Sequence, residues 1–161
     1  MSLTIVSSER FAEHQTPPGH PESPARAEIF HDVAEDWRAA GGRIVVPVPA
    51  TDLQLLRVHS EAHLQRLEAV KGRSASLDPD TFTSPETLEI ARLAAGAAVN
   101  GVDAVLRGDA TSALALVRPP GHHAERDRAM GFCFYNNVAV AAAHARAQGL
   151  ERIAIVDYDV H

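Results

Sequence analysis

The stretch Ala113-Leu114-Ala115-Leu116-Val117-Arg118-Pro119-Pro120-Gly121-His122-His123 decides how this chain folds. Its first five residues are a short apolar run, which reads as a buried strand. Two prolines and a glycine then forbid helix and impose a tight turn directly at the strand's end. Such runs alternate along the chain with longer helical patterns, the signature of α/β architecture: a parallel sheet flanked by helices. Open sheets of this kind place ligands beyond the strand ends. His122 and His123 therefore stand where chemistry is expected.

Towards the N-terminus, Leu3 to Val6 reads as a first strand. Thr16 to Pro24 holds four prolines and Gly19 and reads as an ordered loop. Pro24 suits the first turn of a helix in which Phe30, Val33, Ala34 and Trp37 fall at i, i+3, i+4 and i+7, with Trp37 in the core and Gly41-Gly42 as the stop. Arg43 to Val48 follows as a strand. Thr51 with Gln54 forms a capping-box pattern opening a helical stretch with Leu53, Leu56, Leu64 and Leu67. His59 and His63 in that stretch are four apart, a metal-ligand spacing, but Ser60 reads as a fresh N-cap that breaks the helix between them. Ser84-Pro85 opens a long alanine-rich helix running to about Leu106, closed by Gly108.

Towards the C-terminus, Asn136 or Asn137 caps a helix over Val138 to Gln148, and Gly149 ends it. Ile153 to Val156 reads as a last strand, delivering Asp157-Tyr158-Asp159-Val160-His161 to the sheet edge that also carries the paired histidines. On an extended segment Asp157, Asp159 and His161 share one face. At the rise of a strand the outer two stand about 13 Å apart, too far to hold one ion without a bend. A neighbouring pair must serve, and the mixed carboxylate and imidazole of Asp159 and His161 suits a divalent zinc-like ion. Asp157 is then left to accept the Nδ1 proton of a catalytic histidine or to help hold a monovalent cation such as K+. Imidazole side chains such as His122 and His123 can take a proton from water and return one to a leaving amine, so amide hydrolysis follows.

Composition narrows the field further. The 161 residues are 45% hydrophobic and carry 15 Lys+Arg against 21 Asp+Glu, a formal charge of −6. One globular domain is expected, with no basic field to attract nucleic acid. The apolar runs are too short and alanine-rich for a bilayer, and no signal peptide is evident. The lone Cys133 cannot form an internal disulfide and reads as a small buried hydrophobe. A cytoplasmic protein is expected.

Taken in order, Pro119-Pro120-Gly121-His122-His123, Gly131-Phe132-Cys133-Phe134-Tyr135-Asn136-Asn137 and Asp157-Tyr158-Asp159-Val160-His161 resemble the histone deacetylase superfamily, in its class II branch and its bacterial amidohydrolase and acetylpolyamine amidohydrolase relatives. Gly19 to Arg26, Val58-His59-Ser60 and Asp80-Thr81-Phe82 extend the resemblance over nearly the whole chain. The resemblance implies the deacetylase fold shared with arginase, with residues 1–161 as the N-terminal part of a single deacetylase domain. It implies Zn2+ on Asp159 and His161, His123 as general base and then acid, and His122, backed by Asp157, as electrostatic support for the transition state. Phe132 would wall a narrow acyl-amine channel, with Gly131 giving it room, and Asp80 would bond substrate backbone at the rim. His20 and His59 are read as structural. The substrate would be an acetyl-lysine peptide or an acetylated small amine.

The resemblance further implies that the family continues past His161 and there supplies another aspartate ligand and a transition-state tyrosine or histidine, positions that Tyr135 and Tyr158 do not match. On this expectation the chain is truncated, and its uncovered edge allows a homo-oligomer. Two rival readings are a non-catalytic fragment and a phosphatase using Asp157-x-Asp159 as nucleophile and acid. The second gives His122-His123 no role. An arginase-like centre with two manganese ions is disfavoured by the single histidine and by the Gly-Phe-Cys-Phe string.

Overall fold

The computed structural model describes residues 2–160. A three-stranded parallel sheet lies at its centre, ordered β2-β1-β5, from β1 (Leu3–Val6), β2 (Arg43–Val45) and β5 (Ser112–Ala115). Ile5 stands opposite Ile44 on one side and Leu114 on the other. The strand expected over Arg43 to Val48 stops at Val45: Val46 and Val48 are 70% and 62% exposed, and Val48 N–H donates instead to the Asn100 side chain. The strand expected over Ala113 to Val117 is shifted to Ser112–Ala115, the length that can pair with β1.

Helices complete the body: α1 (Ala25–Ala39), α2 (Asp52–Leu55), α3 (Glu61–Glu68), α4 (Thr87–Leu106) and α5 (Asn137–Ala147). A β3–β4 ribbon (Ala75–Ser76 with Phe82–Thr83) lies between α3 and α4. The Thr51 and Gln54 side chains form the reciprocal capping box that opens α2, and Ser60 caps α3 through His63 N–H, so two helices replace one. The start of α4 lies one turn later than Ser84-Pro85. The Ser84 N–H and side chain are both engaged by the Thr87 hydroxyl, which holds residues 84–86 in a turn.

The core is organised by α4. Twelve of its twenty residues are buried, because it is apolar on nearly every face and is covered on both sides. One cluster joins Leu88, Ala91, Ala95 and Val99 to Leu55, Leu67, Phe134, Tyr135 and Val140. The other joins Ile90, Leu93, Ala94 and Ala97 to Val6, Phe11 and Ala27. Truncating a fully buried side chain such as Phe134 or Leu88 would cost about 3–5 kcal/mol. Gly96 lets the chain after β2 cross α4 closely, since a Cβ there would lie 1.9 Å from the Val48 carbonyl oxygen. The α1 stripe is shallower than its spacing suggests. Ala27 and Ala34 are buried, Val33 is 44% exposed, and Trp37 is half-buried over Gly42 rather than in the core.

The expected last strand is the main departure. Residues 151–160 are exposed and form neither strand nor helix. Ile153 to Val156 has strand-like residues, yet a strand exists only where a neighbour accepts its backbone bonds, and among the described residues none does so. No helix among the described residues is long and apolar enough to cross a membrane.

Candidate active site

The turn after β5 is closely packed. Arg118 is fully buried, the Arg118-Pro119 peptide is cis, and Gly121 is packed so tightly that a Cβ would lie 2.4 Å from Asn137 N. Asn137 Nδ2 donates to the Pro119 carbonyl at 3.3 Å. Asn136 does more: its Oδ1 caps α5 by accepting from Ala139 N–H, while Nδ2 donates to the carbonyls of His122 and Ala124 at 3.3 and 3.1 Å. One asparagine thus ties the helix start to both ends of the histidine pair.

His59 orients that asparagine. Asn136 N–H donates to His59 Nε2 at 2.9 Å, and His59 Nδ1 donates to the Glu125 carbonyl at 2.9 Å. This pairing requires the neutral Nδ1–H tautomer, because in the cation both ring nitrogens are donors. Burial, followed by the stacked neighbour His63, pushes the His59 pKa below its ordinary value. His63 is likewise lowered, chiefly by burial, and its Nε2 donates to the Phe134 carbonyl at 2.9 Å. Both are structural groups, as read for His59 from sequence.

His122 and His123 are partly exposed, with ring centroids 4.2 Å apart and planes at 55°. His122 Nδ1 donates to Asp157 Oδ2 at 3.1 Å, and Asp157 Oδ1 accepts Asp159 N–H at 3.0 Å. These two bonds, the backbone one first, hold the Asp157 carboxyl below its usual range. An open cavity of about 410 Å3 lies between the turn, the start of α5 and residues 155–159. The structure therefore brings together His122, His123, Asp157 and Asp159. His161 lies outside the described residues. Among the described residues no three His, Cys, Asp or Glu side chains cluster as a metal site. Asp159 offers the carboxylate half of a zinc-like donor pair, and the donor chemistry fits such an ion, with further ligands required.

Gly131 packs against the His123 ring, and Phe132 follows it in the same turn. A Cβ on Gly131 would lie 2.7 Å from the His123 ring, and both residues have positive φ, +56° and +69°. Met130 and Cys133 bond reciprocally across them, so they form a two-residue hairpin turn. A phenylalanine is rarely found at positive φ. Here Phe132 N–H donates to the Thr81 hydroxyl at 3.1 Å, and its ring meets His20 edge-on at 4.8 Å. Asp80 is exposed on the neighbouring loop, its carbonyl receiving His20 Nε2 at 3.1 Å. Cys133 beside them is buried, with its thiol pushed up to about 12 by desolvation. Tyr135 is also buried, against His59, His63 and Arg92, and Tyr158 is 92% exposed.

Sequence reading assigned no site role to Asn136, Asn137, His59 or the buried pair Arg118–Glu22. Each acts on residues far away in sequence, and the only local signal was the density of asparagine after the aromatic string.

Comparison with known proteins adds a second line of observation. Residues 20–161 match the family described as the histone deacetylase domain. A histone deacetylase-like amidohydrolase of Pseudomonas aeruginosa is 45% identical over 148 residues, covering 89% of this chain and 38% of that protein. The human polyamine deacetylase HDAC10 is 52% identical over 98 residues, 60% of this chain and 14% of that one. The crystal structure of the HDA15 HD domain superposes with a TM-score of 0.88 at 34% identity, over 99% of this chain and 48% of that chain. The chain thus spans about half, or less, of the length of these relatives.

Proposed function

This chain belongs to the histone deacetylase family, and from that premise we propose that it forms part of a zinc-dependent hydrolase that removes acetyl or other acyl groups from lysine side chains or polyamines. The observation that carries the reading is the His122–Asp157 hydrogen bond, which joins the histidine turn to the segment bearing Asp159. Family membership leaves no place for the phosphatase alternative.

Asp159 and His161 would hold Zn2+, with at least one more ligand from elsewhere. The ion, when bound, polarises the acyl carbonyl as a Lewis acid and makes water at the site more acidic. His123 takes the proton of the attacking water and returns it to the departing amine. Asp157 accepts the Nδ1 proton of His122 and holds its ring, so that Nε2, when protonated, stabilises negative charge developing on the carbonyl oxygen. Phe132, held by Thr81 and His20, walls the acyl-amine channel, and Gly131 lets its neighbour His123 lie close by. Asp80 at the rim accepts a hydrogen bond from substrate backbone. A K+ ion near Asp157 is compatible with its ionised state.

The relatives named for polyamine and amidohydrolase activity support a small acylated amine as one substrate class. Net charge −6 and a single buried cysteine agree with a cytoplasmic protein that does not engage nucleic acid. The test is acetate release from an acetyl-lysine peptide and from an N-acetylated polyamine, by this chain and by a C-terminally extended form, with zinc present. Activity in the extended form is expected. Activity in neither would leave the non-catalytic reading in its place.

A further inference from the structure

The histidine turn leaves β5 through a buried charge that the proposed chemistry does not use. Arg118 is 0% exposed and forks onto Glu22, which is 1% exposed. Nε donates to Oε1 at 2.9 Å and Nη2 to Oε2 at 2.8 Å. Nη1 donates to the carbonyls of Phe11 and His14 at 2.7 and 2.6 Å. His14, itself buried, completes the cluster: Nε2 lies 3.5 Å from Glu22 Oε2, and Nδ1 lies 2.8 Å from the hydroxyl of Thr87, the first residue of α4. Burial by itself would raise the Glu22 carboxyl, but the His14 and Arg118 bonds override it and hold it at about 2, so Glu22 stays ionised.

A buried ion pair is a poor source of net stability, because desolvation offsets most of its attraction and a well-packed apolar pair would serve as well. What a bidentate guanidinium–carboxylate pair supplies is one fixed geometry. Both ends of this one lead directly into the site. Arg118 is joined to His122 by Pro119-Pro120-Gly121, a link with little torsional freedom. Glu22 lies two residues beyond His20, whose ring braces Phe132. The backbone bonds to Phe11 and His14 anchor the same guanidinium to the loop's other end.

We propose that Arg118 and Glu22 are positioning residues: their paired bonds set the histidine turn against the 14–22 loop, and so fix His123 relative to Gly131 and Phe132. This rests on the assignment of His122 and His123 as the proton-handling groups. A lysine at position 118 keeps the charge but loses the fork, and Glu22→Gln keeps the shape but loses the charge.

The experiment is side-chain NMR on this chain, comparing wild type with Arg118→Lys and Glu22→Gln, each first checked for folding by circular dichroism. In the folded variants the ring resonances of His122 and His123 should shift and the contact between the His123 ring and the Gly131 α protons should weaken. The His144 ring, bonded to Asp103 and Arg57 elsewhere, should be unchanged. In whichever form of the chain releases acetate, kcat should fall about tenfold with KM within about threefold, the pattern of misplaced catalytic groups. Wild-type ring resonances in a folded variant, or loss of all structure in both variants, would overturn the proposal, the latter by assigning the pair to stability alone. Absence of acetate release from both this chain and its C-terminally extended form would instead remove the deacetylase reading, and the ring comparison would still decide the positioning role.

Discussion

The turn from Arg118 to Asn137 and the segment from Glu151 to Val160 supply the two halves of the candidate site, yet they are held in opposite ways. The turn is clamped from three sides, by Glu22 on Arg118, by Asn137 on Pro119 and by Asn136, itself oriented by His59. The segment is exposed throughout and meets the turn through the Asp157 carboxylate on His122. The turn that carries the proposed proton-handling groups is thus preorganised by the body of this chain, whereas the segment bearing Asp159 is joined to it by a charged bond at the surface. Such asymmetry means that perturbing the turn should cost fold and chemistry together, and perturbing the segment should touch chemistry with little effect on fold.

Hydrogen exchange gives the largest expected contrast. Amides of residues 151–158 should exchange roughly a thousandfold faster than those of Cys133, Asn136 and Ala139, each of which donates to a protein acceptor. Equal protection measured by mass spectrometry would break the comparison, since it would mean that the segment is held as firmly as the turn.

Next in size is Asn136→Ala, which removes the α5 cap and two bonds to the turn backbone. A loss of about 2–3 kcal/mol in urea unfolding is expected, combining a cap with unsatisfied carbonyls. A change under about 0.5 kcal/mol would show that the clamp is ornamental. Gly131→Ala should cost about 1–3 kcal/mol through positive φ and contact with the His123 ring. Its acetate release, in a form that has activity, should fall more steeply than its stability, because the ring that must move is the proposed base.

These anchors also mark where the sequence was legible. Local signals were read correctly: the Thr51–Gln54 box, the Ser60 cap and the apolar span of α4 each depend on residues within a few positions. The paired histidines at the end of an apolar run could be placed at a sheet edge for the same reason. Arg118–Glu22 spans 96 residues and His59–Asn136 spans 77, and no periodicity reports a bond of that range. The error at Ile153 to Val156 has the same origin. Side-chain character there favours a strand, but strand formation is decided by a partner's backbone, which the local sequence does not contain.

Acid should destabilise the body in two stages. His59 and His63 have folded pKa values below the ordinary histidine value, so the unfolded chain binds protons more readily than the folded one. Stability is therefore complete above about pH 6.5 and declines below it, by at most about 1.4 kcal/mol per pH unit for each ring. Glu22 then adds a second decline, present above its unfolded value and lost as pH falls from about 4.5 towards about 2. A His59→Gln variant, which retains a polar side chain but does not titrate, should shrink the first stage to the part due to His63 and leave the second. Urea unfolding between about pH 7 and about pH 2 measures both, and an unchanged first stage in the variant would remove His59 as a source of it.

The smallest expected change in stability, and the sharpest test of the asymmetry, is Asp157→Asn. Asp157 is exposed, and its carboxyl is held down by the Asp159 amide and by His122. An asparagine at that position can present its carbonyl to His122, so the melting temperature should stay at the wild-type value. The lost negative charge should nevertheless weaken the hold on the Nδ1–H form of His122, lowering kcat in an active form of the protein while leaving KM little altered. If melting temperature and kcat fell together, the segment would be part of the folded framework after all. If kcat alone fell, the surface bond between the two halves would be a catalytic linkage and the body would fold independently of it.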